Sequence, residues 1–135
     1  KEVFPRDAKL GYFHGLDGRH VPLLGESQRD REHLAMSGYL QNGESILIKR
    51  AACIIDDELS KDKALRRWFF VDIVHDELQS EVKNSLDFAT KVAKIKAEAI
   101  KQAGEEYNLR CPMAGSYWND ETNKPTIGRN WYTTH

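Results

Sequence analysis

The chain has 135 residues, of which 20 are Lys or Arg and 21 are Asp or Glu, so its formal charge at pH 7 is −1. This length fits one modest globular domain or part of a larger one, and the balanced charge disfavours a protein that coats nucleic acid along its whole length. No stretch reaches the ~18 consecutive apolar residues of a membrane helix, and residues 1–20 lack the apolar core of a signal peptide, so we expect neither a membrane protein nor a classically secreted one. Cys53 and Cys111 form no C-x-x-C pair, which favours a reduced, cytosolic compartment.

The first third of the chain predicts a hairpin followed by a helix. Asp17-Gly18 separates two short runs within residues 9–24, and this dipeptide favours the tight turn of a β-hairpin. Ser27 is a candidate cap for a helix that begins near Gln28.

Residues 29–59 have helical spacing that glycine interrupts. A glycine costs ~1 kcal/mol in a helix interior, so Gly38 and Asn42-Gly43 predict two helices with a bend between them. The second helix has an apolar face with spacings of three and four, formed by Leu47, Ala51, Ile54, Ile55 and Leu59.

The second half predicts a strand, a turn, a second strand and a helix. The strands are expected at residues 68–74 and 78–82, with His75, Asp76 and Glu77 at the turn. A helix over residues 85–103, capped by Ser85, has an apolar face of Phe88, Val92, Ile95, Ala99 and Ala103. A short strand is expected at residues 109–113. The sequence contains no repeat or linker, so residues 1–135 are interpreted as one α+β unit.

The segment VHDEL at residues 74–78 is the most unusual local feature. It places two adjacent carboxylates, Asp76 and Glu77, at the tip of an apolar hairpin. Carboxylates suit a hard cation such as Mg²⁺, but charged residues at hairpin tips are commonly only solvated, so the pattern alone leaves both interpretations open. No motif for a nucleophile, a zinc protease or a P-loop is present.

VHDE after an apolar strand resembles motif C of the family A DNA polymerases, the DNA polymerase I type, in their bacteriophage branch. Three further segments resemble that branch in the same order, namely GLDGRHV, REHLAMSGYLQNGES and the final GRNWYTTH, which is similar to a G-x-N-W-x-x-x-H ending. The resemblance covers about residues 9–135. It implies an α+β fragment from the carboxyl-terminal part of a polymerase palm domain, with a motif C hairpin and flanking helices.

The resemblance implies a metal site and an activity. In the family, the residue that matches Asp76 binds two catalytic Mg²⁺ ions, for which Mn²⁺ could substitute, and the residue that matches Glu77 lies beside them. The implied reaction is DNA-directed DNA synthesis, in which a dNTP is joined to the 3′-hydroxyl of a primer on its template.

The resemblance also implies DNA contacts. The residue that matches His75 lies near the primer end, and the one that matches Gln41 reads the minor groove behind the primer terminus. His33 and Ser37 precede Gln41 at spacings of four, which would place all three on one side of a straight helix, although the family favours Asn where Ser37 stands. Arg19 could reach a phosphate, or it could face only solvent.

No segment resembles motif A or the motif B helix that holds the incoming triphosphate. We therefore expect the chain to be inactive alone and to need an amino-terminal polymerase fragment as its partner, joined through the apolar faces at residues 47–59 and 88–99 that a split would expose. A phage-encoded enzyme would act in the cytoplasm of the infected bacterium. The sequence does not identify a processivity factor.

Two alternatives stay open. A single-subunit RNA polymerase shares the His-Asp motif on a similar palm hairpin, but Ser follows the Asp in that family, whereas Glu77 follows here. The other alternative is a palm remnant that binds DNA without catalysis.

Overall fold

The computed structural model describes residues 3–65, 70–74, 76–116, 118–119 and 124–125. The chain divides into two compact units, Lys1–Leu47 and Ile48–His135. Over the described ranges, the elements are three helices and three two-stranded antiparallel sheets. These elements confirm the predicted α+β class.

The first unit begins with a short helix and the predicted hairpin. Helix α1 covers Val3–Leu10 and was not predicted; its Pro5 lies in the first turn, where a missing N–H costs little. Strand β1 (Tyr12–His14) pairs in antiparallel fashion with β2 (His20–Pro22). Gly18 has a φ of +82°, a conformation that glycine adopts without steric cost. The predicted hairpin is therefore confirmed.

The core of the first unit forms where the hairpin packs on the long helix. Phe13 is only 1% exposed and clusters with Leu23 and Ala35, while Val21 packs against this cluster. An added Cβ on Gly38 would lie 3.2 Å from the Phe13 ring. Gly38 therefore leaves room for the ring to approach the helix, which explains a glycine at this position.

Helix α2 is continuous over Gln28–Lys61, a length of 34 residues, so the predicted break near Gly38 and Asn42-Gly43 is wrong. Buried side chains occur on both sides of the glycines, Ala35 before them and Ile46 after them, and we attribute the continuity to this packing, which can outweigh a propensity cost of about 1 kcal/mol per glycine. The predicted start at Gln28 is confirmed.

The second unit contains the latter half of α2 and helix α3 (Leu86–Glu106). Arg50 pairs with Glu106 near the end of α3, whereas Asp62, just beyond α2, pairs with Lys91 near its start. Because the order reverses, the latter half of α2 and α3 run antiparallel. The predicted apolar face of α2 is buried within the chain, and so are Val92, Ala99 and Ala103 of the predicted α3 face, whereas Phe88 and Ile95 of that face are only partly buried. Most of these two faces is therefore covered by the chain itself, and the partner fragment stays a prediction.

A second hairpin joins the two helices. Strand β3 covers Phe70–Val74 and pairs in antiparallel fashion with β4, Glu77–Ser80. The register shifts between Phe70 and Asp72, as a β-bulge produces. The predicted hairpin is confirmed, but Glu77 begins β4 instead of lying in the turn. The predicted residues 68 and 69 lie outside the described ranges.

The ends of α3 differ slightly from the prediction. Ser85 precedes the helix with an extended backbone, but its side chain makes no capping hydrogen bond. The helix continues past residue 103 to Glu106. Within the described ranges, no helix combines the length and apolar character needed to cross a membrane.

The strand predicted at residues 109–113 is not formed. Asn108 has a positive φ of 54°, and Pro112 has no N–H to donate to a neighbouring strand. Met113 instead lies against Gly104 of α3, so the segment packs through side chains. Farther on, β5 (Trp118–Asn119) pairs with β6 (Lys124–Pro125).

Candidate functional site

Asp76 and Glu77 lie at the tip of the β3–β4 hairpin. Val74 pairs directly with Glu77, so Asp76 lies in the turn and Glu77 is the first residue of β4. Both side chains are exposed, and Gln79 Nε2 donates to Glu77 Oε2 over 3.3 Å. His75 lies outside the described residues, and its role near a primer end stays a prediction.

The donor chemistry of this tip fits a hard cation. Mg²⁺ takes oxygen ligands and is commonly bound by one or two carboxylates together with substrate phosphates. Asp76 and Glu77 supply two adjacent, exposed carboxylates. In the described part of the chain, no group of three or more His, Cys, Asp or Glu side chains is placed to hold a metal ion. Within the described residues, the hairpin therefore supplies two carboxylates of the type that Mg²⁺ prefers, without a complete set of ligands.

Lys96 of α3 contacts the same hairpin and was not singled out from the sequence. Its ammonium donates to the Leu78 carbonyl oxygen and, over 3.2 Å, to Ser80 Oγ. Burial lowers the pKa of Lys96 to about 8. A signal for this residue was present, because Lys96 follows Val92 and precedes Ile100 by four positions, which places a lysine in the apolar row of an amphipathic helix.

The predicted minor-groove residues lie on one face of α2. His33, Ser37 and Gln41 are all exposed, and the helix is continuous through all three, so their spacing of four places them in one row. Ser37 Oγ donates to the His33 carbonyl oxygen over 3.2 Å. Its hydroxyl is therefore directed at its own helix backbone. This row belongs to the first compact unit, and the carboxylate hairpin belongs to the second.

Arg19 lies beside the turn of the first hairpin, where Asp17 binds its guanidinium. Arg19 Nε donates to Asp17 Oδ2 over 2.6 Å, and this contact lowers the pKa of Asp17. The Arg19 side chain is 65% exposed. A guanidinium has five N–H donors, so it can pair with a phosphate while still bound to Asp17.

Comparison with known proteins identifies the relatives of the chain. It is 30% identical over 132 residues to the DNA-directed DNA polymerase of Escherichia phage Phieco32, a match that covers 95% of this chain. It is 27% identical over 132 residues to the DNA-directed DNA polymerase of Enterobacteria phage T3, covering 94% of the chain. The resemblance to phage DNA polymerases is confirmed. No protein-family model matches the chain.

The two phage DNA polymerases are much longer than this chain. The matched region is 19% of the Phieco32 polymerase and 16% of the T3 polymerase. The similarity covers 94–95% of the chain. It therefore extends over the helix that carries His33, Ser37 and Gln41 and over the hairpin that carries Asp76 and Glu77.

Proposed function

We propose that the chain is the carboxyl-terminal palm portion of a family A phage DNA polymerase and that it supplies motif C to DNA-directed DNA synthesis. The observation that carries the proposal is the pair of exposed carboxylates, Asp76 and Glu77, at the tip of a β-hairpin. This pair occurs in a chain similar to phage DNA polymerases over 94–95% of its length.

Asp76 and Glu77 would hold two Mg²⁺ ions through their carboxylate oxygens. When bound, such ions lower the pKa of an attacking hydroxyl and stabilise the charge on the attacking and leaving oxygens of an in-line displacement. Asp76 lies in the turn and extends from the end of a paired strand. Its backbone is therefore anchored by the hairpin while its exposed side chain stays available to primer and dNTP.

Catalysis would also need residues that this chain does not supply. A second carboxylate from motif A would face Asp76, and a motif B helix would bind the triphosphate of the dNTP. We therefore propose that the chain alone does not incorporate nucleotides and that it works with the amino-terminal polymerase segments that carry these motifs. For a phage enzyme, the site of action would be the cytoplasm of the infected bacterium.

The row on α2 would contact primer–template DNA. Gln41, with its exposed amide, would donate to the minor-groove acceptors, adenine N3 and thymine O2 among them, that base pairs share. His33 would lie two turns away on the same face, and Arg19 would bind a phosphate. Ser37 would contribute less, because its hydroxyl already donates within the helix.

The decisive experiment replaces Asp76 in a polymerase that contains this chain together with the segments for motifs A and B. Asp76→Asn keeps the side-chain shape but removes the charge that binds the cation. We expect single-nucleotide incorporation to fall at least about a hundredfold, with DNA affinity changed less than about twofold because phosphate contacts supply most of it.

Asp72→Asn is the matched control. Asp72 is also exposed, lies on β3 of the same hairpin, and accepts a hydrogen bond from the Ile73 backbone N–H. This variant should retain normal incorporation. Full activity of Asp76→Asn would contradict the proposal and favour a DNA-binding remnant, whereas preferential use of rNTPs by the unmodified enzyme would favour an RNA polymerase.

A further inference from the structure

We propose that Lys96 is a positioning residue that fastens strand β4 of the carboxylate hairpin to helix α3. The contact itself does not depend on a polymerase function, whereas its consequence for catalysis rests on the proposed function. Lys96 would not touch primer, dNTP or cation. It would act through β4, the strand that begins with Glu77 and directly follows Asp76.

The contact joins two elements that are distant in sequence. The Lys96 ammonium donates to the Leu78 carbonyl oxygen, 18 positions away, and to Ser80 Oγ, 16 positions away. One side chain therefore holds two alternate residues of β4. Leu78 and Ser80 are each partly buried, so hydrogen bonds lost here would be replaced by water only in part.

The β3–β4 hairpin has few other contacts, among its described residues, that would fix its orientation. A two-stranded hairpin is marginally stable by itself in water, and much of this one faces solvent. Asp72 and Glu77 are exposed, and even Ile73 is 42% exposed. Among the described side chains of the hairpin, packing is therefore incomplete, and a hydrogen bond from α3 to β4 adds a constraint on the orientation of the strand.

The fastened residues are close to the carboxylates. Leu78 follows Asp76 by two positions, and a strand rises about 3.3 Å per residue. A metal site tolerates displacement of its ligands poorly, since Mg²⁺ requires near-ideal octahedral geometry. A shift of β4 against α3 would move Glu77 and Asp76 together and weaken cation binding without removing either ligand.

The location of Lys96 supports a specific role for its nitrogen. It lies in the row of Val92 and Ile100, both of which are buried, where a fully apolar side chain would pack without desolvating a charge. Burial also lowers the pKa of Lys96, so the structure tolerates an unfavourable environment for the ammonium at the place where it meets β4.

The first test measures amide hydrogen exchange in the 135-residue chain by itself. Lys96→Met keeps an unbranched side chain of similar length but removes the donors, and Lys96→Arg retains donors and charge. Lys94→Met is the matched control, because Lys94 is exposed on the same helix. We expect protection of the amides in residues 77–80 to fall about tenfold in Lys96→Met, as for the loss of one or two hydrogen bonds.

The comparison with α3 distinguishes fastening from general unfolding. Amide protection over residues 92–104 should stay within about twofold of the unmodified chain, and Lys96→Arg should recover at least part of the protection of β4. Unchanged protection of β4 in Lys96→Met, or an equal loss in Lys94→Met, would overturn the proposal. An equal loss in β4 and α3 would also overturn it, because it would show a general packing role.

The second test concerns catalysis in a polymerase that contains the chain. Lys96→Met should raise the Mg²⁺ concentration for half-maximal incorporation several-fold and lower kcat, while KM for DNA changes less than about twofold; Lys96→Arg should restore part of both. If Asp76→Asn abolishes incorporation but Lys96→Met leaves the Mg²⁺ dependence unchanged, the positioning role is wrong. If Asp76→Asn has no effect, the proposed function is wrong, and the exchange experiment still decides whether Lys96 fastens β4.

Discussion

Arg50 of α2 and Glu106 at the end of α3 are joined by two parallel hydrogen bonds. Arg50 Nε donates to Glu106 Oε2 over 2.5 Å, and Nη2 donates to Oε1 over 3.1 Å. Gln102, one turn earlier on α3, also donates to Glu106 Oε1. The geometry is the two-pronged pairing that makes Arg–carboxylate contacts specific in direction, and it fixes one end of the antiparallel helix pair.

Arg50→Met is expected to lower the Tm of the chain by a small amount, roughly 1 to 3 °C, because both partners are solvent-accessible and exposed ion pairs contribute little. The pair lowers the pKa of Glu106, so its contribution is present at neutral pH and is lost as the pH falls through that lowered pKa. Thermal melts at low and high salt measure the effect, which should shrink at high salt. Lys101→Met, which removes a pair with Glu98 inside α3, is the control; an equal shift would show that linking two helices adds nothing.

Ser27→Ala is expected to destabilise the start of α2 by about 1 kcal/mol, the usual cost of losing an N-cap. Asp30 N–H donates to Ser27 Oγ over 3.1 Å, and the Ser27 N–H donates back to Asp30 Oδ2 over 3.2 Å. The same contacts lower the pKa of Asp30 below its ordinary 3.8, so the reciprocal cap is complete at neutral pH and weakens in acid. Urea denaturation at pH 7 and pH 3 should show the larger difference at pH 7. A difference that grows in acid would contradict the capping role.

The stability of the unmodified chain should rise with pH between about 8 and 10.5 relative to that of Lys96→Met. Lys96 has a folded-state pKa of about 8 against an ordinary 10.5, so in this interval the unfolded chain binds more protons than the folded chain, and raising the pH favours folding. The gain is on the order of 1 to 3 kcal/mol after allowance for partial exposure. Denaturant titrations at pH 7.5, 9 and 10.5 measure it. Lys94→Met should keep the unmodified slope, and a slope equally present in Lys96→Met would assign it to other groups.

Gln41→Ala, in a polymerase that contains the chain, should reduce extension of a matched primer by about tenfold or less, since one uncharged hydrogen bond contributes about 0.5 to 1.5 kcal/mol. Discrimination against mismatched primers should weaken too, while bare DNA affinity changes little because phosphate contacts dominate it. Single-nucleotide extension from matched and mismatched primers measures both. Gln28→Ala is the control, as it removes the same amide from α2 outside the His33 row. Equal losses of affinity and extension, with an unchanged mismatch ratio, would place Gln41 in a structural role.

The sequence predicted best where a local rule decides the structure. Asp17-Gly18 correctly predicted the first hairpin, and Ser27 correctly predicted where α2 begins. It failed at Gly38 and Asn42-Gly43, where packing of neighbouring residues on α2 overrides a local cost that a short window cannot weigh. The two carboxylates of the second hairpin were recognisable as a motif, and their exposure agrees with a position at the tip.

Contacts between residues distant in sequence were harder to predict. The contact between Lys96 and β4 depends on how α3 packs against the hairpin. The sequence alone showed only a lysine within a row of apolar residues. Helix α1 was missed because its eight residues, with Pro5 among them, are fewer than the roughly 11 over which helical periodicity is read.

The antiparallel arrangement of the latter half of α2 and α3 affects the order in which the second unit is expected to fold. The Asp62–Lys91 pair closes a loop of 29 positions, and the Arg50–Glu106 pair closes one of 56 that contains the first. Closing the longer loop directly costs about 0.6 kcal/mol more than closing the shorter one, because the entropy grows with the logarithm of length. We expect the β3–β4 hairpin to close first, the inner pair next and the outer pair last, so that the second unit assembles outward from the strands that carry Asp76 and Glu77.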